Sequence, residues 1–180
     1  MNIAVYCAAS QSNCPAFDTK TEELGKWMAK HKHTLVYGGG NTGLMGVVAT
    51  AVMNAGGKVI GVMPQFFVDR EIAKQDITKL HIVDTMSDRK NQMIALSEVY
   101  IALPGGPGTL EEIAEVVSWV RVGQTNGICI FYNMEGYYDH LEAFFDKMVE
   151  TNLLSEEDRS QIHFAKTLAE IEAIIELVSV

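Results

Sequence analysis

The chain has 180 residues with 14 Lys and Arg against 23 Asp and Glu, a formal charge of −9. Its length suits one domain with one core, so residues 1–180 are read as a single unit. The acidic balance repels a phosphate backbone and argues against nucleic acid as a partner, and no apolar run approaches the 18 or more residues of a membrane span.

In chain order, short Val- and Ile-rich runs alternate with longer segments of helical period. Strands are predicted at residues 2–6, 34–37, 58–63, 81–83, 98–103, 128–132 and 162–164. Helices are predicted at 17–32, 43–55, 87–96, 109–122, 137–151 and 168–177. This alternation predicts an α/β chain, a Rossmann-like, doubly wound, mostly parallel sheet with helices on both faces. The N-terminal Met1-Asn2-Ile3-Ala4-Val5-Tyr6 has no basic start or cleavage site and reads as an immediate strand. A cytoplasmic location is the expectation. Cys7, Cys14 and Cys129 form no CxxC and read as reduced thiols. The irregular 65–79 stretch carries Phe66, Phe67, Asp69, Arg70 and Glu71 after Pro64, and is either a plain connection or a short helix over a site.

In open parallel sheets, ligands bind beyond the carboxyl ends of the strands, so the loops that open helices there are the candidates. The first is Gly38-Gly39-Gly40-Asn41-Thr42-Gly43. Gly38, Gly40 and Gly43 satisfy GxGxxG, through which a ligand or another backbone makes close approach. The following strand ends Val62-Met63-Pro64-Gln65, without the acid that a dinucleotide ribose requires, which weakens an NAD-dependent oxidoreductase.

The second loop is Pro104-Gly105-Gly106-Pro107-Gly108-Thr109, whose glycines and helix start favour an anion. It lacks the lysine of a P-loop, which disfavours ATP hydrolysis. Thr109 and Glu112 match a capping box, in which Glu112 would turn back onto its own helix. Yet Glu111, Glu112 and Glu115 together exceed what one cap needs, which suggests a carboxylate facing positive charge on a substrate.

The third element is Met86-Ser87-Asp88-Arg89-Lys90. Two cations at a helix start oppose the macrodipole, so they are either a functional pair, a solvated surface pair or neutralised by Asp88. The five histidines are scattered without HExxH spacing, and no metal is expected. Trp119 and Tyr100 read as packing residues.

Together, the 38–46 loop, Met86-x-x-Arg89-Lys90 and Pro104-Gly105-Gly106-x-Gly108-Thr109-x-x-Glu112 resemble the Lonely Guy family of cytokinin riboside 5′-monophosphate phosphoribohydrolases. The likeness runs from Val5-Tyr6-Cys7-Ala8-Ala9-Ser10 through Trp119 to Asn133-x-x-Gly136-Tyr137-Tyr138. Members often carry the label lysine decarboxylase, which these residues fit poorly because nothing suggests a pyridoxal-phosphate site.

The resemblance implies hydrolysis of the N-glycosidic bond of a purine nucleoside 5′-monophosphate, AMP or an N6-modified relative, without a cofactor. It implies Arg89 and Glu112 as catalytic residues and a homodimer whose second subunit completes the crevice. It also implies substrate contacts from Ser10, Gly39, Gly40, Met86, Lys90, Gly105, Gly106, Gly108, Thr109 and Glu115. Two segments depart from the family: Ala8-Ala9 replaces a Gly-Ser, and Gln124-Thr125-Asn126-Gly127 replaces a His-x-Lys-Pro. They touch the rim and base pocket rather than the phosphate loop. The competing function is a nucleotide or molybdenum-cofactor carrier, which needs no carboxylate at a reacting sugar.

Overall fold

The structure is a computed structural model that describes residues 1–70, 73–74 and 76–178. Glu71, noted in the irregular stretch, lies outside the described residues. The elements run β1 (Asn2–Tyr6), α1 (Pro15–Lys30), β2 (Thr34–Tyr37), α2 (Gly43–Asn54), β3 (Lys58–Pro64) and α3 (Gln65–Val68). There follow β4 (Lys79–Val83), α4 (Met86–Ala95), β5 (Val99–Ala102), α5 (Pro107–Arg121) and β6 (Ile128–Tyr132). A 3₁₀ turn (Met134–Gly136), α6 (Asp139–Glu150), α7 (Glu156–Ser160), β7 (Ile162–Ala165) and α8 (Leu168–Val178) complete the order.

The seven strands form one sheet in the order β4-β3-β2-β1-β5-β6-β7, and every adjacent pair is parallel. The inner strands are buried on both faces, which explains why their sequences read as continuous apolar runs, while the edge strand β4 keeps Lys79 and Ile82 exposed. Alternate residues feed two separate cores. Ile3, Val5, Val99, Ile101, Ile128 and Ile130 pack with Leu24 and Met28 of α1, Val48 and Val52 of α2 and Ile171 of α8. Ala4, Tyr6, Tyr100, Ala102, Cys129 and Phe131 pack with Met93 of α4 and with Ile113 and Val116 of α5. The doubly wound α/β expectation thus holds, with the sheet wholly parallel.

Most predicted boundaries fall within two residues of the observed ones; the differences have local causes. Pro15 and Pro107 occupy the first turns of α1 and α5, so both helices start two residues earlier than read. Tyr137 and Tyr138 stand outside α6, because Asn133 Oδ1 accepts the Tyr138 N–H at 2.7 Å and fixes the preceding turn. The 65–79 stretch begins as the short helix α3, and α7 is a second short helix that periodicity gave no sign of.

The chain builds outward from β1 to β4, then returns through α4 to β5 on the other side of β1. That reversal leaves a crevice beyond the carboxyl ends of β1 and β5, the usual ligand position in open α/β sheets.

Candidate active site

A cavity of about 450 Å³ occupies that crevice, within the size range of ordinary small-molecule sites. Cys7, Ala8, Ala9 and Ser10 line it after β1; Gly38, Gly40 and Met45 after β2; and Met63 and Phe67 around the end of β3. Met86 and Arg89 of α4 and Gly106, Gly108, Thr109 and Glu112 at the start of α5 close it.

The cavity floor holds a buried ion pair. Arg89 is 5% exposed and Glu112 6%, and the Arg89 Nη1 donates to Glu112 Oε1. Arg89 Nε donates to the Val62 carbonyl oxygen at 3.1 Å, which fixes the guanidinium against the end of β3. Gly38 makes room for it, since a β-carbon there would stand 1.9 Å from Arg89 Nη2. Burial pushes the Glu112 carboxyl above its ordinary value of 4.5, with the Arg89 charge pulling the other way. Asp88 is not the neutralising partner: its carboxylate accepts from the Thr85 N–H at 3.2 Å and the Thr85 hydroxyl at 2.6 Å, closing the α4 cap.

The α5 start supplies the opposite wall. The first helical bond runs from the Leu110 N–H to the Gly106 carbonyl at 3.2 Å, and Pro107 has no N–H. The Gly108 and Thr109 amides precede that bond and have no partner among the described residues. A helix end with unpaired donors attracts anions. The capping-box alternative does not form here. Gly106 is the N-cap, Thr109 lies inside the first turn, and Glu112 reaches Arg89 instead of turning back.

Three contacts fix the loop that delivers this helix start. Tyr138 donates its hydroxyl to the Leu103 carbonyl and Tyr137 to the Gly105 carbonyl, each at 2.6 Å, while the Ala8 N–H donates to Pro104 at 3.2 Å. Gly105 is shaped by Thr109, whose Oγ1 lies 2.1 Å from where a β-carbon would be. At Gly106 and Gly108 such a carbon would meet nothing within 4 Å. The space beside those two residues is free for a ligand.

Of the residues implicated by sequence, Ser10, Gly40, Met86, Arg89, Gly106, Gly108, Thr109 and Glu112 share the cavity lining. Gly39 and Gly105 serve the loops behind it: Gly39 turns toward Met63 and Leu80, and Gly105 toward Thr109. Lys90 and Glu115 stand outside the lining, paired at 2.9 Å, and Lys90 also meets Glu111. The cations are therefore neither solvated nor paired with Asp88. Cys7 and Met63 were not singled out as site residues, while Phe67 lies in the short helix α3, one of the two readings of the 65–79 stretch; for Cys7 the available signal was its position just after the first strand at the switch point. Tyr100 is fully buried and bonds backbone carbonyls, and Trp119 packs on the core, as expected of both.

Residues 45–175 match a family described as possible lysine decarboxylase. The chain is 40% identical over 177 residues to LOGL6 of Oryza sativa subsp. japonica, a probable cytokinin riboside 5′-monophosphate phosphoribohydrolase, covering 98% of this chain and 71% of that protein. It is likewise 40% identical over 169 residues to the cytokinin riboside 5′-monophosphate phosphoribohydrolase LOG1 of Arabidopsis thaliana, covering 94% and 79%. The chain belongs to the Lonely Guy family.

Among solved structures, the molybdenum cofactor carrier protein of Chlamydomonas reinhardtii superposes with a TM-score of 0.76 over 98% of this chain and 97% of that one, at 23% identity. The molybdenum cofactor binding protein of Rippkaea orientalis gives 0.71 at 20% identity, over 99% and 97%. These likenesses concern the fold. The Lonely Guy assignment rests on sequence.

Proposed function

We propose that this chain is a nucleoside 5′-monophosphate phosphoribohydrolase, which cleaves the N-glycosidic bond of AMP or an N6-modified cytokinin riboside monophosphate. The C1′–N bond breaks, the oxygen of water bonds to C1′, and a proton from that water reaches the leaving base. The products are free base and ribose 5-phosphate. The observation that carries this reading is the buried Arg89–Glu112 pair in the same cavity as the unpaired amides of α5.

Each group has a task in such a reaction. The phosphate lies at the Gly106, Gly108 and Thr109 end of α5, where unpaired amides and the helix dipole favour a dianion. Glu112 faces the sugar, where its carboxylate stabilises the cationic character that develops at C1′ or orients the attacking water. Arg89 holds that carboxylate and meets the negative charge growing on the base; a guanidinium remains charged and does not serve as the proton donor. Ser10, Gly40 and Met86 shape the remaining wall. Holding the phosphate fixes the sugar at the carboxylate, so binding energy away from the breaking bond lowers the barrier.

In the same reading the protein is a cytoplasmic homodimer, and residues 1–180 form one nucleotide-binding domain. Its continuous sheet supports the single domain, while Leu110 and Met86, exposed at 44% and 38% beside the cavity, support a partner chain there. Among the described residues no helix is long and apolar enough to cross a membrane.

Chromatographic detection of adenine and ribose 5-phosphate after incubation with AMP tests the proposal, with adenosine as the comparison. Release from AMP and poor use of adenosine are expected. Stoichiometric nucleotide retention without base release would favour a carrier instead.

A further inference from the structure

Lys90 stands beside the proposed catalytic arginine, and its position in the sequence invites a role in gripping the phosphate. Its surroundings point elsewhere. Its side chain is 15% exposed, outside the cavity lining, and its Nζ bridges two carboxylates of α5, meeting Glu111 and lying 2.9 Å from Glu115. Arg89, one residue earlier on α4, meets Glu112, one residue after Glu111 on α5. Two consecutive cations of one helix thus engage three acids of the next. The outer pair is closed on itself, while the inner pair faces the cavity.

We infer that Lys90 is a positioning residue, which ties α4 to α5 through Glu111 and Glu115 and thereby fixes Glu112 against Arg89. The argument is electrostatic as well as geometric. An ammonium already shared by two carboxylates has little net charge to offer a phosphate, and Glu115 beside it would repel a dianion. Drawing phosphate to Lys90 would also require breaking both contacts. Without Lys90, Glu111 and Glu115 would face each other and Glu112 uncompensated, and mutual repulsion would turn this side of α5 away from α4. Glu112 would then move relative to the sugar, and displacements of about 1 Å at a reacting centre cost up to about a hundredfold in rate.

This inference rests on the hydrolase reading for its kinetic arm but not for its titration arm. In Lys90→Met, kcat for AMP should fall at least about tenfold, as expected of a misplaced carboxylate, while the AMP KM and the preference over adenosine stay within about twofold. Lys90→Arg should recover most of the lost kcat, because a guanidinium can bridge the same two carboxylates. Glu111→Gln with Glu115→Gln, which removes the tie but also the repulsion, should cost less kcat than Lys90→Met, and adding Lys90→Met to that pair should cost little more. The double variant also serves if Lys90→Met does not fold.

The second arm is a ¹³C titration of the Glu112 carboxyl, which is faced by Arg89 and Lys90 of α4, by Glu111 on its own helix and by Tyr6 and Cys7 at the end of β1. Its midpoint should rise in Lys90→Met and return in Lys90→Arg. An AMP KM raised tenfold with kcat unchanged, together with lost preference over adenosine, would place Lys90 on the phosphate and overturn the inference. An unchanged Glu112 midpoint in Lys90→Met would overturn it too. A folded wild type that releases no adenine would refute the hydrolase reading, and the titration would still decide the part played by Lys90.

Discussion

Gly38→Ala isolates the contact on which the cavity floor depends. A methyl group at this position would lie 1.9 Å from Arg89 Nη2, 3.0 Å from Cζ and 3.2 Å from Met45 Cε. To reach ordinary contact the guanidinium must retreat by about 1.5 Å, since separations below about 3.4 Å fall on the repulsive wall. It cannot retreat freely, because Nε is bonded to the Val62 carbonyl and Nη1 to Glu112. Gly38 does not have positive φ, so alanine is conformationally allowed, and with free space the change would stabilise the fold by about 0.4–1 kcal/mol. Overpacking reverses that sign and costs about 1–3 kcal/mol.

In a chain of this size each kcal/mol lowers Tm by about 2–4 °C, so calorimetry should show a drop of a few degrees. Adenine release from AMP should fall by up to about a hundredfold through displacement of the Arg89–Glu112 pair. A folded Gly38→Ala variant with unchanged or raised Tm and normal kcat would refute the account of why glycine is needed here.

The other predictions concern the helix start and the carboxylate. Gly106→Ala, where the new carbon meets nothing in the free protein, should lower Tm by no more than a few degrees, the cost of about 1 kcal/mol for alanine at the N-cap, while raising the AMP KM, because the space it fills is assigned to phosphate; unchanged kinetics would refute that assignment. Thr109→Ala should raise the AMP KM and spare the slow turnover of adenosine, and no cap loss accompanies it, because Thr109 makes no cap contact. Glu112→Gln should lower kcat by about 10² or more with circular dichroism unchanged, the scale of a positioned acid or base.

The pH dependence follows from the raised Glu112 value. The ionised form acts, so kcat/KM should fall as pH drops through a midpoint above 4.5, and Arg89→Met should move that limb further up by removing the charge that holds it down. For stability the sign is opposite. The folded protein binds this proton more tightly than the unfolded chain, so the group favours folding below its unfolded value, and the advantage is lost as pH rises through the folded one. Kinetic profiles of the wild type and Arg89→Met check the first point, and melts from pH 4 upward, compared with Glu112→Gln, check the second.

What the sequence determined was what repeats locally. Apolar runs announced the strands, because inner parallel strands are wetted on neither face and need no alternation of character; only the edge strand β4, with Ile82 52% exposed, departs from that. The glycine loops and their helices were legible for a similar reason: backbone that must turn sharply or expose amides restricts residue type at the spot itself. Arg89 and Glu112 stood out as charges at helix starts, and the family pattern assigned them catalytic roles.

Only the tertiary structure decided how charges are shared. Local rules offered Glu112 to its own helix cap and Asp88 to Arg89, since both lay within one turn. Folding instead set Glu112 against a guanidinium 23 residues away and gave Asp88 to Thr85. Lys90 went to carboxylates 21 and 25 residues distant, on a helix that neighbours α4 only because the chain doubles back between β4 and β5. The short helix α7 was equally illegible, because one turn carries no period to detect. Ion-pair energies depend on distance and burial rather than on separation along the chain, so partners of this kind are fixed by strand order and helix docking.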